Sequence, residues 1–485
     1  MERNIHPSPS AQIFKGRNGQ PEKLESQLGE VETIRDGTSA TQRNEETHRG
    51  FKPRHSQMIA IGGAIGTSLF LGTAQVLRVG GPLFLLISYG VLSVLVYCIV
   101  TGIAETATYL PVPGGTMAYY GHKYVSHSMG FAIGYLYWYS LGILIPYELV
   151  ASTLLIDFWG PVVSPAVWIT VIYATIVILN FLPVRVFGEC EFWSAGMKII
   201  LILGLIFLSI VLFFGGGPNH DPLYFRYWAN PGPVNAHIEQ GHAGRLVSLL
   251  QLFVLASFAF VLAPEQLIVT AGEMQSPRYN LPRAARRYVW RLIILFMPSV
   301  LGISIVCASN DPSLTASGTA SSPFVIAIRN AGIPVLDSIV NAMILLSAIT
   351  AGNAFLYSAS RNLYSLSKAG NAPEIFKRCN SHGLPYVSVA VTSCLGGLAY
   401  LSLSSTSITV SFPSQWSVGT FLTAYIGIPA FLLIYFGHRL CHRSDYWVRK
   451  PEDIDMYDGM DEVMAAERPP PVRGAISKKL WALIQ

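Results

Sequence analysis

The stretch QMIAIGGAIGTSLFLG (57–72) is apolar enough for a membrane span, yet Gly62, Gly63 and Gly66 fall in its middle, followed by Thr67 and Ser68. A membrane helix gains nothing from glycines at its centre unless the backbone opens there or a neighbour comes close. Opened backbone is tolerated in hydrocarbon only where it lines a cavity or is buried in protein. Further along, FAFVLAPEQLIVTAGE (258–273) repeats the anomaly with Pro264 and Glu265. The breaks fall in the first and sixth apolar spans, equivalent positions in two successive groups of five. That pairing predicts inverted repeats with a binding site where they meet.

Composition points the same way. Of 485 residues, 51% are hydrophobic and only 13% charged, and the mean hydropathy is +0.42, which describes a polytopic membrane protein. The net charge of +5 reflects topology, because the positive residues sort by loop and form no single basic patch. Nucleic acid is therefore not an expected partner. Cys98, Cys190, Cys307, Cys379, Cys394 and Cys441 lie far apart with no C-x-x-C spacing, so free thiols are expected, with neither a disulfide framework nor a metal site. The polar first 56 residues contain no cleavable signal, which favours a cytosolic start.

Apolar runs of roughly 20 residues fall at 58–79, 83–104, 130–156, 162–182, 195–214, 247–271, 288–308, 334–356, 384–403 and 418–436. With the N-terminus inside, nearly all Lys and Arg lie on the inner side: Arg78, Arg226, Arg245 and Arg329 fall outside, and Lys198 lies within a span. That asymmetry is the positive-inside pattern. An even number of spans also leaves His438, Arg439, His442 and Arg443 inside. The expected domains are a disordered cytosolic tail (1–50), a transmembrane domain (51–437) and a cytosolic C-terminal tail (438–485); both tails have too little apolar surface to fold alone. The glycine-rich outer loop 215–246 is expected to rest in order on the helices.

Unwound backbone at Ala64, Ile65, Gly66, Thr67 and Ser68 would present N–H groups at a helix N-terminus, which suit a carboxylate; a small-residue packing face is the alternative. Pro264 frees a carbonyl four residues earlier, so the sixth span offers acceptors suited to an ammonium group. Carboxylate at one break and ammonium at the other describe an amino acid. Phe258, Phe260 and Val261 are candidates to close over its side chain, and Glu265 either braces the break or touches the substrate. Glu148 and Glu105 are proton carriers or hydrogen-bonded struts. Lys198 either snorkels to the interface or loads and releases a proton. His122, His127 and His382 are scattered and read as solvated loop residues. No phosphate loop, zinc site or nucleophile with its base occurs, so an enzyme is not expected and no cofactor is implied.

RHSQMIAIGGAIGTSLFLGT (54–73), GGP (80–82), YWYSLGILIPYELVAS (137–152), FGECEFWSAGMKII (187–200), SPFVIAIRNAGIPVL (322–336), SASRNLYSLSKAGNAPEIF (358–376) and AYIGIPAFLLIYFGHR (424–439) together resemble the fungal amino acid permeases. These form the yeast amino acid transporter family of the amino acid, polyamine and organocation superfamily. The resemblance implies an all-α, five-plus-five inverted repeat (LeuT-like) fold and proton-driven import of amino acids across the plasma membrane, with both termini cytosolic. It implies a substrate held by the unwound parts of helices one and six, and it strengthens Lys198 as a proton site. Its implied partners are an amino acid, protons, the lipid bilayer and ubiquitin-dependent trafficking machinery. Ser68 stands where the family usually has a second glycine. The family has twelve helices, whereas here only 404–417 separates the ninth span from a segment similar to the twelfth, so the tenth and eleventh are missing. The expected alternatives are a non-transporting amino acid sensor on the same fold and a nonfunctional truncated permease.

Overall fold

The helix Thr73–Tyr109 (α1) would be about 55 Å long if it were straight, nearly twice the hydrocarbon thickness of a bilayer. It breaks at Gly81, whose φ of 77° and ψ of 176° are non-helical and which precedes Pro82. Proline supplies no backbone donor, so the GGP triplet separates the first and second expected spans. The outer loop seals this turn: Leu83 N–H donates to Pro233 O (2.9 Å) and Asn235 N–H to Gly80 O (3.1 Å), while Asn235 Nδ2 donates to Arg78 O (2.8 Å). A Cβ on residue 81 would lie 2.9 Å from Pro233 O. Only glycine fits both this dihedral and this approach.

This computed structural model describes residues 65–111, 116–260, 277–315, 322–403 and 427–442. It also describes Met58, Ile268, Val269, Ala271, Met274, Asp445, Trp447, Val448, Arg449 and Ile454. All but Met58 and Ile65 onward of the first break, and all of the junction 404–426, thus lie outside the described residues. The described residues are almost entirely helical. After α1 come Met117–Tyr124 (α2), His127–Ile156 (α3), Pro165–Phe181 (α4), Val184–Phe213 (α5), Gly241–Ser257 (α6), Pro277–Val306 (α7), Leu336–Lys368 (α8), Tyr386–Ser393 (α9) and Gly427–Cys441 (α10). Among the described residues seven segments are long and apolar enough to cross a bilayer. Ser68–Tyr109 is one of them and holds the second expected span and the end of the first. The shorter Pro165–Phe181 fits the fourth.

The polarity of α5 is inverted relative to a helix in water. Ser194, Lys198 and Ser209 are buried, whereas Trp193, Ile200 and Phe207 are exposed, as expected where the surrounding solvent is lipid. The two most extensive helix contacts join α3 to α8 and α1 to α7. These are the third span of one repeat with the third of the other, and the helix containing the second span with the seventh. Pairing of equivalents is what a two-fold relation between repeats demands.

Helices α5, α7 and α8 run well past the apolar runs, α5 starting at Val184, α7 at Pro277 and α8 ending at Lys368. α8 continues to Lys368 because Ser358, Ser360, Arg361, Asn362, Ser365 and Ser367 are buried inside the protein, where polar side chains find partners. At this end α2 is tied to α8: Thr116 Oγ1 donates to Asn362 Oδ1 (3.1 Å) or Ser365 Oγ (2.9 Å), and Asn362 Nδ2 donates to Gly134 O of α3 (3.0 Å).

Candidate functional site

The described part of the first expected break is irregular. Ile65 and Gly66 form a bend, and Ser68–Gly72 is a π-helical turn whose residues are all buried. An irregular ladder leaves backbone carbonyls to be satisfied from elsewhere, and neighbouring hydroxyls meet them. Ser347 Oγ of α8 donates to Ile65 O (3.0 Å), and Ser322 Oγ donates to Phe70 O (2.9 Å). Gly66 faces α8 and α3 closely: a Cβ there would lie 3.3 Å from Ala351 Cβ and 3.6 Å from Glu148 Oε1.

Before the second expected break, which lies outside the described residues, α6 tightens into the 3-10 turn Phe258–Phe260. This turn touches the π-helical turn of the first span, so the two irregular segments meet in the core. Phe258 packs edge-on against Tyr147 of α3, with ring centroids 5.7 Å apart. Phe260 is buried between Tyr89 (5.7 Å) and Phe296 (5.3 Å), where it braces the break as a packing residue. Ala64, Val261, Pro264 and Glu265 lie outside the described residues.

Ionisable groups gather behind the first break. Thr67 Oγ1 donates to Glu148 Oε1 (3.0 Å), while Glu148 Oε2 has no hydrogen-bond partner among the described residues. Glu148 and Lys198 are 2% and 3% exposed, so Lys198 does not snorkel to an interface. Its ammonium interacts electrostatically with Glu148 and with Glu191. Glu105 is not part of this group; it lies exposed near the end of α1. Glu191 is a buried carboxylate that the apolar runs did not single out, because α5 starts at Val184 and not near residue 195. An ionisable residue about two helical turns before Lys198 on the same helix was the available signal.

The histidines also differ from expectation. His122 and His127 are scattered in sequence but pack with His438 and His442 at the end of the bundle that carries α2: His122 to His127 is 4.8 Å, His127 to His438 is 4.9 Å and His438 to His442 is 4.2 Å between ring centroids. Beside them Asp445 accepts hydrogen bonds from Ser128 N–H (2.7 Å) and Ser128 Oγ (2.6 Å) at the start of α3. All six cysteines are free thiols, and among the described residues no group of His, Cys, Asp and Glu is arranged to hold a metal ion.

Facing irregular turns in equivalent helices, with buried charge behind one of them, define a secondary transporter of the LeuT-like fold. A nucleobase-cation-symport-1 family transporter in a closed conformation shares that fold with a TM-score of 0.51 and 14% identity, over 83% of this chain and 82% of the other. The sequence profile of the amino acid permease family matches residues 55–413, and the chain belongs to that family. It is 38% identical to the proline-specific permease of Emericella nidulans, over 86% of this chain and 89% of the relative. It is 36% identical to the probable proline-specific permease of Schizosaccharomyces pombe, over 86% and 90%. The chain is thus an amino acid permease, a transporter and not an enzyme.

Proposed function

We propose that this permease imports a neutral amino acid, with L-proline as the first candidate, by proton symport across the plasma membrane with both termini in the cytosol. The observation that carries this is the join between the bend at Ile65–Gly66 and Glu148 through Thr67 (3.0 Å), with Lys198 acting on the same carboxylate. The N–H groups of Gly66, Thr67 and Ser68 are suited to the substrate carboxylate. Carbonyls that Pro264 would free in the sixth span are suited to its ammonium group. Phe258 stands beside Tyr147 as a wall for the side chain.

Glu148 and Lys198 are the proposed proton-coupling pair, because burial and their mutual charge set the proton affinity of each, so that a change at one shifts the other. A proton or substrate that alters Glu148 alters its hold on Thr67, and so the first helix. The relatives' names support proline as the substrate to try first, and the basic residues between spans six and seven and between eight and nine support the orientation.

Uptake of radiolabelled L-proline into expressing cells tests this, with imaging of a tagged copy to locate the protein. Lys198→Ala should flatten the dependence of uptake on external pH, and Glu265→Gln should lower uptake at unchanged surface amount. A preserved pH profile in Lys198→Ala would make the lysine structural. Retention of the tagged protein in internal membranes would support a nonfunctional truncated permease.

A further inference from the structure

Glu191 on α5 is only 1% exposed. Its Oε1 accepts a hydrogen bond from Asn353 Nδ2 of α8 (2.7 Å). Asn353 Oδ1 in turn accepts from Asn180 Nδ2 of α4 (2.7 Å), and the same Nδ2 is anchored on Ile176 O (3.0 Å). Glu191 Oε2 has no hydrogen-bond partner among the described residues. About two helical turns along α5, on the same face, lies Lys198, which acts on Glu191 and on Glu148 alike.

Among the described residues, two carboxylates and one ammonium therefore share the buried centre. Fully ionised, they leave one negative charge without a counter-charge in a low dielectric, which is costly. One additional proton makes the set neutral. Groups coupled in this way titrate as a set, and which carboxylate takes the extra proton depends on how each is held.

The two carboxylates are held differently. Glu148 is tied to Thr67 at the irregular turn of the first span, the element whose backbone is open. Glu191 is tied through two uncharged amides to α4 and α8, which are regular helices. α7 packs on α5 with Gly302 set against Ser209, another uncharged contact. Among the described residues, the ionisable neighbours of Glu191 in this centre are Lys198 on its own helix, the adjacent Cys190 and, through Lys198, Glu148 on α3.

We propose that Glu191 is a positioning residue for proton coupling: a fixed counter-charge, anchored by Asn353 and Asn180, that holds the Lys198 ammonium in place while Glu148 gains or loses its proton. The proposal rests on the proton symport argued above. Glu191 transfers no proton itself; it sets the pH at which the Glu148–Lys198 pair becomes loaded. Removing a nearby negative charge makes a positive form harder to reach, so loading without Glu191 needs a more acidic medium.

The test uses the full chain reconstituted in liposomes, with radiolabelled L-proline as probe and external pH varied under a fixed internal pH. In Glu191→Gln, the pH of half-maximal uptake should move toward acid by about one unit, while exchange of proline at equal pH on both sides persists. Glu191→Asp keeps the charge but withdraws it by one methylene, and should show a smaller shift of the same sign; it carries the test if the Gln variant does not fold. PH-driven wild-type uptake with an unmoved profile in these variants would overturn the role of Glu191. Wild-type proline uptake that ignores both pH and a protonophore would instead overturn the symport proposal, and this inference with it.

Discussion

Thr67 and Glu148 lie 81 residues apart in sequence and 3.0 Å apart in space, joined by a buried hydrogen bond from hydroxyl to carboxylate. The bond ties the irregular turn of the first span to α3, a regular helix. Removing the hydroxyl in Thr67→Val leaves a buried carboxylate oxygen without its donor, a cost of about 1–3 kcal/mol. Proline uptake should fall by about an order of magnitude at unchanged surface amount, and Thr67→Ser should restore most of it. Equal uptake in the Val variant would remove this bond from the mechanism.

Gly66 gives a second handle on the same place. Its missing side chain leaves 3.3 Å to Ala351 Cβ and 3.6 Å to Glu148 Oε1, so alanine fits only if α8 yields slightly. Overpacking of this kind costs about 1–3 kcal/mol. Gly66→Ala is expected to reduce uptake and Gly66→Val to abolish it, while fluorescence-detected size exclusion shows both variants folded. Normal transport by the valine variant would mean that the bend is not a binding element.

At the end of the bundle bearing α2, Asn362 accepts from Thr116 (3.1 Å) and donates to Gly134 O (3.0 Å). Asn362→Ala deletes both bonds and leaves α2 held to α8 by Thr116 and Ser365 alone. The expected loss is about 1–3 kcal/mol, read as a lower unfolding temperature in detergent, with faster labelling of a cysteine introduced at position 117. Unchanged values of both would show that α2 is held by apolar packing alone.

The histidine cluster yields a prediction about pH. Burial, followed by the positive charges of His127 and Arg449, pushes the His122 imidazole down to about 4, with Asp445 opposing. The unfolded chain takes up this proton near 6.5, so stability is expected to decline as pH falls from there toward 4. Asp445 behaves oppositely. Burial alone would raise its carboxyl, but hydrogen bonds from Ser128 and His127 hold it below the usual range. Its contribution is present above pH 3.8 and is lost only in stronger acid. Thermal unfolding between pH 7.5 and 4.5 should therefore show a decline that His122→Asn reduces and Asp445→Asn does not, the remainder belonging to His127 and His438, whose imidazoles burial also pushes down. An undiminished decline in His122→Asn would assign it to another group.

Much of this arrangement is legible in the residues. Gly66 sits where the described part of the first span bends, although a small-residue packing face is an equal reading of Gly62, Gly63 and Gly66, and the GGP triplet marked the turn at Gly81. Helix ends were less legible. A hydropathy window stops where polar residues begin, yet the polar ends of α5 and α8 continue inside the protein, where Glu191, Asn353 and Asn362 find one another. The same blindness hid Glu191. The histidine cluster was invisible for another reason: His122 and His438 meet only through the packing of α3 against α10 and the return of the chain at Asp445. Phe260 carries the opposite lesson, since an aromatic at a break serves the core as readily as a cavity.

Accumulation of radiolabelled L-proline in liposomes containing the purified protein, driven only by an acidic exterior, is the most direct measurement. Symport through the facing breaks predicts an internal concentration above the external one that collapses when a protonophore is added. Proline binding with no accumulation at any pH gradient would contradict it.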